Sequence, residues 1–215
     1  MSQASPHISG YRYENAAYSH AHSYLLPAVL RIMRGMNWPA GNRRIFELGS
    51  GNGATAALLE REGFSLTGVD PSEDGIAHAR TAYPHIRIEL GSSYDDLVSR
   101  YGRFPVVLSL EVVEHVFLPR AFARRVFDLL EDNGTAIIST PFHGYWKNLA
   151  LALTGKLDKH FTVLWDYGHI KFWSERTLRE LLEEAGFTDI RFERVGRIRP
   201  LAKSMIAIAR RPGRA

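Results

Sequence analysis

Three groups of residues combine the types and spacings that chemistry requires. The first is Glu47-Leu48-Gly49-Ser50-Gly51-Asn52-Gly53, an acid followed by three alternating glycines. Glycines at a strand-to-helix turn permit positive φ and bring the backbone close to a ligand. The helix that follows presents its unpaired N–H groups to that ligand. The second is Asp70, about 20 residues past the first glycine, where a carboxylate accepts both hydroxyls of a ribose. The third is Glu111, Glu114 and His115, which share one face if the segment is helical. Two carboxylates and an imidazole hold a hard cation such as Mg²⁺, place a proton acceptor, or pin a loop by hydrogen bonds. His143 is a second candidate base, or a surface histidine of the loop Pro141-Phe142-His143.

Gly49, Gly51 and Ala54 formally satisfy a dinucleotide fingerprint. Glu47 argues against that ligand, because a carboxylate two positions before the first glycine repels a pyrophosphate. It suits a ligand carrying a cation. Glu47 and Asp70 together ask for an ammonium group and a ribose without a diphosphate, a description that S-adenosylmethionine meets.

These residues need a scaffold of alternating strands and helices. Ile45, Phe46 and Leu48 suit a buried parallel strand, and Ala54–Leu59 the helix after it. Phe64–Val69 leads to Asp70, Ser72 caps a helix through about Ala82, and Ile86–Leu90 makes a third strand. Val106–Leu110 is the fourth, with Pro105 expected at its first residue, where a missing N–H is tolerated. An amphipathic helix over Leu118–Leu130 and a turn at Glu131–Gly134 lead to a fifth strand, Thr135–Thr140. Ser174 caps Glu175–Ala185, although Thr177 lacks the acidic half of a capping box, and Gly186 ends that helix. Ile190–Val195 and Ser204–Ala209 close the pattern. At the front, Ser23–Met36 reads as an amphipathic helix with Pro27 near its first turn, preceded by an arm carrying Tyr11, Tyr13 and Tyr18.

Glu47–Gly53 resembles the first motif of class I S-adenosylmethionine-dependent methyltransferases, and Gly68-Val69-Asp70-Pro71-Ser72 resembles their second. Leu108–Val116 is similar to the fourth-strand motif of the subgroup that includes the ubiquinone-biosynthesis O-methyltransferases. The resemblance implies a Rossmann-like α/β fold. Its seven-stranded, mostly parallel sheet has helices on both faces and a C-terminal antiparallel hairpin. It implies cofactor contacts from Glu47, Gly49, Ser50, Gly51, Asn52, Gly53, Asp70, Pro71, Ser72, Leu110 and Glu111, and adenine contacts around Ser92, Ser93, Tyr94 and Asp95. It also implies a magnesium role for Glu111, Glu114 and His115. The chain departs from the subgroup at Pro105, where an aspartate is frequent, and at Glu131–Gly134.

The chain has 215 residues, 45% of them hydrophobic, and reads as one domain over 1–215. Residues 1–36 form the arm and first helix, and 142–173 an insertion or lid. That insertion is apolar, and Phe142, Trp146, Tyr167 and His169 are its candidate substrate contacts. Because it borders the site, it reads as an apolar lid that fits a phenolic, quinol-like or lipid-like acceptor and peripheral membrane contact; the alternative is a helical insertion packed on the sheet or across a dimer interface. Cysteine is absent, which excludes disulfides and cysteine nucleophiles. Net charge is +4, with Arg191, Arg194, Arg197, Arg199, Lys203, Arg210, Arg211 and Arg214 crowding one end as a solvated edge or an anion-binding surface. Few aromatics interleave them, so nucleic-acid binding gains little. No run reaches the ~18 apolar residues of a membrane span, and no signal-peptide core precedes the first helix. The expectation is a cytoplasmic monomer or homodimer that methylates a small molecule, with a non-catalytic cofactor-binding protein as the alternative.

Overall fold

A computed structural model describes residues 13–17, 21–161, 163–166 and 168–213. The strands are β1 (Arg44–Leu48), β2 (Ser65–Asp70), β3 (Arg87–Leu90), β4 (Phe104–Leu110), β5 (Leu130–Pro141), β6 (Thr188–Val195) and β7 (Ser204–Arg210). They form one sheet in the order β3-β2-β1-β4-β5-β7-β6. The first five are parallel, and β7 runs antiparallel between β5 and β6. This is the Rossmann-like sheet with the terminal antiparallel pair that the resemblance implied.

The strands β1 and β4 are apolar on both faces because both faces are covered. Phe46, Leu48 and Val107 point into one core, which includes residues of α5 (Pro119–Leu129) and α8 (Glu175–Glu184). Ile45, Val106 and Leu108 point into the other, with residues of α1 (His22–Arg34), α2 (Ala54–Arg61) and α3 (Glu73–Ala82). Period-2 alternation thus splits neighbouring residues between two cores rather than between core and water. Parallel strands put their carboxyl ends along one edge, where the connecting loops build a crevice. The short α4 (Leu97–Tyr101) lies between β3 and β4.

Four local expectations need correction. Pro105 is the second residue of β4, not its first, and the pairing shifts there: Phe104 faces Leu130, but Val106 faces Thr135. Proline has no N–H for the ladder, so the partner strand bulges through Glu131–Gly134, with Asn133 at φ 63°. What read as a turn before β5 is therefore a bulge inside it. At α8 the capping box is complete. The Thr177 hydroxyl accepts from Ser174 N at 3.1 Å and Ser174 Oγ accepts from Thr177 N at 3.3 Å, a hydroxyl replacing the acid. The first helix ends at Arg34, before Met36.

Residues after β5 form α6 (Tyr145–Leu153) and α7 (Leu157–Phe161), neither of which buries a single residue.

Candidate active site

The loop after β1 folds as its glycines demand. Gly49, Gly51 and Gly53 take φ of 87°, 50° and 78°, a region costly for residues with a Cβ. A Cβ on Gly49 would also collide with the Val112 side chain, and one on Gly51 with the Tyr13 hydroxyl. Gly49 N and Ser50 N donate to Val69 O at 2.8 and 3.0 Å, tying the loop to the end of β2. Asp70 then accepts from Gly51 N and Ser72 N, each at 2.8 Å. Burial pushes its carboxyl up to about 6 despite those two donors. Ser72 caps α3 by accepting from Gly75 N at 3.1 Å.

Glu47 is 2% exposed at the floor of this loop, and burial with Asp70 nearby holds its carboxyl well above the usual range. The Thr55 hydroxyl bonds to it, while Oε2 has no partner among the described residues. A buried acid with one oxygen unspent is a receptor for a cation. Ser50 Oγ is likewise buried and without a partner among the described residues.

A cavity of about 70 Å³ opens beside the loop, walled by Gly49, Val69, Pro71, Ser92, Ser93, Tyr94, Val112 and His115 among others. Ser92, Ser93 and Tyr94, expected near an adenine, stand together here with Pro71. Asp95 instead accepts from Ser92 N at 2.8 Å, and the Tyr94 hydroxyl accepts from Phe117 N and Leu118 N. Residues 13–17 cross the glycine loop. The Tyr13 ring lies against Gly51 and Gly75, Tyr13 N donates to Asp74 at 3.0 Å, and Asn52 Nδ2 donates to Asn15 O and Ala17 O. Tyr11 and Tyr18 lie outside the described residues.

Glu111, Glu114 and His115 do not share a helical face. Glu111 sits at φ 54° and the segment is a turn closed by His115 N donating to Val112 O at 2.9 Å. The turn separates the two acids. Glu111 accepts from Ser139 Oγ at 2.8 Å and Ser204 Oγ at 3.3 Å; burial pushes its carboxyl up to about 7, opposed by those hydroxyls and by Lys147. Glu114 is 1% exposed, and burial with Glu111 nearby holds its carboxyl well above the usual range, opposed by the Thr140 hydroxyl and a backbone amide. His115 Nε2 and His169 Nε2 each lie 4.0 Å from Glu114 Oε1. Since Gly168 O can only accept, His115 Nδ1 is the protonated nitrogen of their 3.1 Å bond. Backbone bonds from Ile170 N and Lys171 N to Glu114 O, and a bond from the indole Nε1 of Trp173 to Val113 O, clamp this segment to the turn.

A larger cavity, about 520 Å³, lies beyond His169, lined by His143, Asn148, Phe161, Trp165, His169 and Phe172 among others. Burial holds both His143 and His169 down at about 4, so both are neutral at pH 7. His143 and His169 therefore join this cavity as the sequence suggested. Phe142 lies instead in the core with Arg194 over its ring, and Trp146 is 67% exposed away from the lining. Tyr167 lies outside the described residues, and Leu110 is half-buried at the end of β4.

The magnesium implied for Glu111, Glu114 and His115 does not fit this arrangement. Among the described residues the ligand group that assembles is Glu114, His115 and His169, two nitrogens and one carboxylate, whereas Mg²⁺ takes oxygen donors in octahedral geometry. Glu111 has spent both oxygens on hydroxyls.

A family model described as a methyltransferase domain matches residues 15–191. The chain belongs to that family, the class I S-adenosylmethionine-dependent methyltransferases. It is 35% identical over 127 residues to a ubiquinone biosynthesis O-methyltransferase of Bradyrhizobium diazoefficiens, covering 58% of this chain and 49% of that one. A protein of the same name from Dinoroseobacter shibae is 30% identical over 159 residues, covering 71% and 62%. The chain spans about half the length of the first of these curated relatives. A solved S-adenosylmethionine-dependent methyltransferase of Archaeoglobus fulgidus shares the fold with a TM-score of 0.63 at 18% identity, over 87% of this chain and 93% of that one. Magnesium protoporphyrin IX methyltransferase of Synechocystis, solved with the demethylated cofactor, gives 0.62 at 19% identity, over 86% and 80%.

Proposed function

We propose that this methyltransferase moves the S-adenosylmethionine methyl group to an oxygen of a small aromatic or quinol-like acceptor held in the larger cavity. One observation carries the reading. His115 forms part of the cofactor-side wall with Gly49 and Val112, and its ring meets His169 and Trp165 of the larger cavity at centroid distances of 4.9 and 6.0 Å. A donor in one cavity and an acceptor in the other would meet at that side chain. The acceptor oxygen attacks the sulfonium methyl carbon, the carbon–sulfur bond breaks, and its electron pair stays on sulfur. The hydroxyl proton leaves toward the Glu114–His115–His169 group. Because the sulfonium is already a good electrophile, orientation and proton removal are the protein's main contributions.

The names of the relatives support an oxygen acceptor, and the aromatic lining of Phe161, Trp165 and Phe172 supports a flat apolar one. Asp70 would take the ribose hydroxyls and Glu47 the methionine ammonium. The same reading has α6 resting on an anionic lipid surface, with Tyr145, Trp146, Leu149 and Leu153 exposed and Lys156 and Lys159 beyond. Calorimetry with S-adenosylmethionine and its demethylated product tests the donor, with NAD as control. Mass-resolved assays of catechols, quinols and lipid extracts test the acceptor. Cofactor binding with no methyl appearing on any of them would leave a non-catalytic binding protein; tighter binding of NAD would end the reading.

A further inference from the structure

We propose that His22 is a positioning residue of the cofactor site, holding the Glu47 carboxylate in its ionised, receptive form through the Thr55 hydroxyl. His22 Nε2 lies 3.0 Å from Thr55 Oγ1, 33 residues along the chain. Thr55 in turn bonds to Glu47, and the two are buried, at 4% and 2% exposed. One hydrogen-bonded chain thus runs from the first residue of α1, through the first turn of α2, to the penultimate residue of β1. The proposal rests on the reading of Glu47 as the partner of the methionine ammonium.

Counting protons along this chain gives His22 its role. A hydroxyl has one proton to donate and lone pairs to accept with, whereas an ionised carboxylate only accepts. With Glu47 ionised, the Thr55 proton therefore goes to Glu47, and His22 Nε2 carries the hydrogen that enters a Thr55 lone pair. With Glu47 protonated, the chain can run the other way and end on a bare Nε2. A hydrogen on His22 Nε2 thus favours the ionised acid, the form that an ammonium requires, and each bond polarises the next. That help matters here, because burial and the neighbouring Asp70 both oppose the charge. A threonine hydroxyl on a helix otherwise turns back to a carbonyl of the preceding turn. An N–H at its lone pair keeps it on Glu47.

Two sets of contacts hold His22 over Thr55. Leu25, Val29 and Ile32 of α1 share a core with Ala56, Ala57 and Leu59 of α2, which docks one helix on the other. Just before His22, Asn15 O and Ala17 O accept from Asn52 Nδ2 at 2.7 and 2.9 Å, and Ala16 O accepts from the Tyr83 hydroxyl at 3.2 Å. Asn52 and Thr55 stand where the glycine loop becomes α2, so the arm and the acid are fixed from one place. A ligand with a free ammonium group feels His22 through this chain, and a nucleoside without one does not.

The test compares two ligands by calorimetry on the full chain. S-adenosylhomocysteine carries the ammonium; 5′-methylthioadenosine keeps the adenosine and lacks the amino-acid part. His22→Ala should weaken the first by about threefold to tenfold, the size of one hydrogen bond, and change the second by less than about twofold. His22→Gln returns an N–H at similar reach and should restore the affinity. Thr55→Val should show the same selective loss, and it carries the prediction alone if circular dichroism finds His22→Ala unfolded. Adding His22→Ala to Thr55→Val should cost nothing more, since a side chain acting through the hydroxyl has no effect once the hydroxyl is gone. Equal loss of both ligands, no loss of the first, or a full His22→Ala effect in the Thr55→Val background would overturn the proposal. Glu47→Gln keeps the two readings apart. If it leaves S-adenosylhomocysteine affinity unchanged, Glu47 is not the ammonium's partner and both fall. If it weakens binding about tenfold or more while folded His22→Ala is silent, the role of His22 falls alone.

Discussion

The two sides of the crevice that the proposal gives to the methyl donor and to the acceptor are built differently. On the side with the glycine loop the two buried acids belong to the sheet. Glu47 is the penultimate residue of β1 and Asp70 the last of β2, and Gly49 and Gly51 are bonded to Val69 and Asp70. On the other side no residue of α6 or α7 is fully buried, and exposed apolar residues such as Leu153 and Leu164 follow one another. Its fastenings among the described residues include the segment 168–173, through Glu114 and Val113, and Lys147, which donates to Phe142 O at 2.8 Å. A cofactor of fixed shape rewards a rigid receptor, whereas an acceptor that must enter, be covered and leave as product calls for a cover with little stability of its own.

If this contrast is right, truncation on the donor side should cost far more than on the acceptor side. Phe46→Ala empties a fully buried site against the Tyr101 and Phe104 rings, and chemical denaturation should show a loss of about 3–5 kcal/mol. A loss below 1 kcal/mol would mean the donor side is not the rigid half.

Asp70→Ala should weaken S-adenosylmethionine binding about tenfold or more, as expected for charged hydrogen bonds of ~1.5–3 kcal/mol. Its pH dependence sharpens the point. Burial raises the Asp70 pKa to about 6 from an ordinary 3.8. The folded chain therefore holds this proton longer than the unfolded one, and the group's contribution to stability falls as pH rises between those values. Binding that uses the ionised carboxylate has the opposite sign. Affinity should drop as pH falls through about 6, and Asp70→Asn should flatten that step in calorimetry.

Smaller effects follow. Ser174→Ala removes the cap of α8 and should cost about 1 kcal/mol, with Ser174→Gly closer to neutral, by thermal denaturation. Leu153→Ser, at a residue 79% exposed, should change stability by less than about 0.5 kcal/mol. The same substitution should reduce co-sedimentation with anionic vesicles; undiminished vesicle binding would detach α6 from any lipid contact.

The donor side was also the legible side. Glu47–Gly53 and Asp70–Ser72 act through short-range rules, glycine φ and a helix cap, that a linear chain displays openly. The strands of the sheet were readable because two-sided burial leaves continuous apolar runs, as in Val106–Leu108. The acceptor side was read less well. A spacing rule put Glu111, Glu114 and His115 on one helical face, and a single residue at positive φ undid it. His169 had been singled out for the substrate, but its approach to Glu114 depends on tertiary hydrogen bonds that local spacing does not encode. Phe142 and Trp146 read as substrate contacts because they are aromatic and near the edge; one fills the core and the other faces solvent. Thr177 completed a capping box because a hydroxyl, like a carboxylate, can accept from the N-cap amide.

The placement of β7 has a consequence for how the molecule comes to exist. It is the latest strand in the chain, yet it hydrogen-bonds to β5 on one side and β6 on the other. Until it arrives, β5 offers a row of unpaired amides and carbonyls, and β6 has no neighbour at all. A nascent chain cannot complete its sheet before Arg210 has cleared the ribosome, so assembly ends with an insertion into the interior of the sheet instead of an addition at its rim.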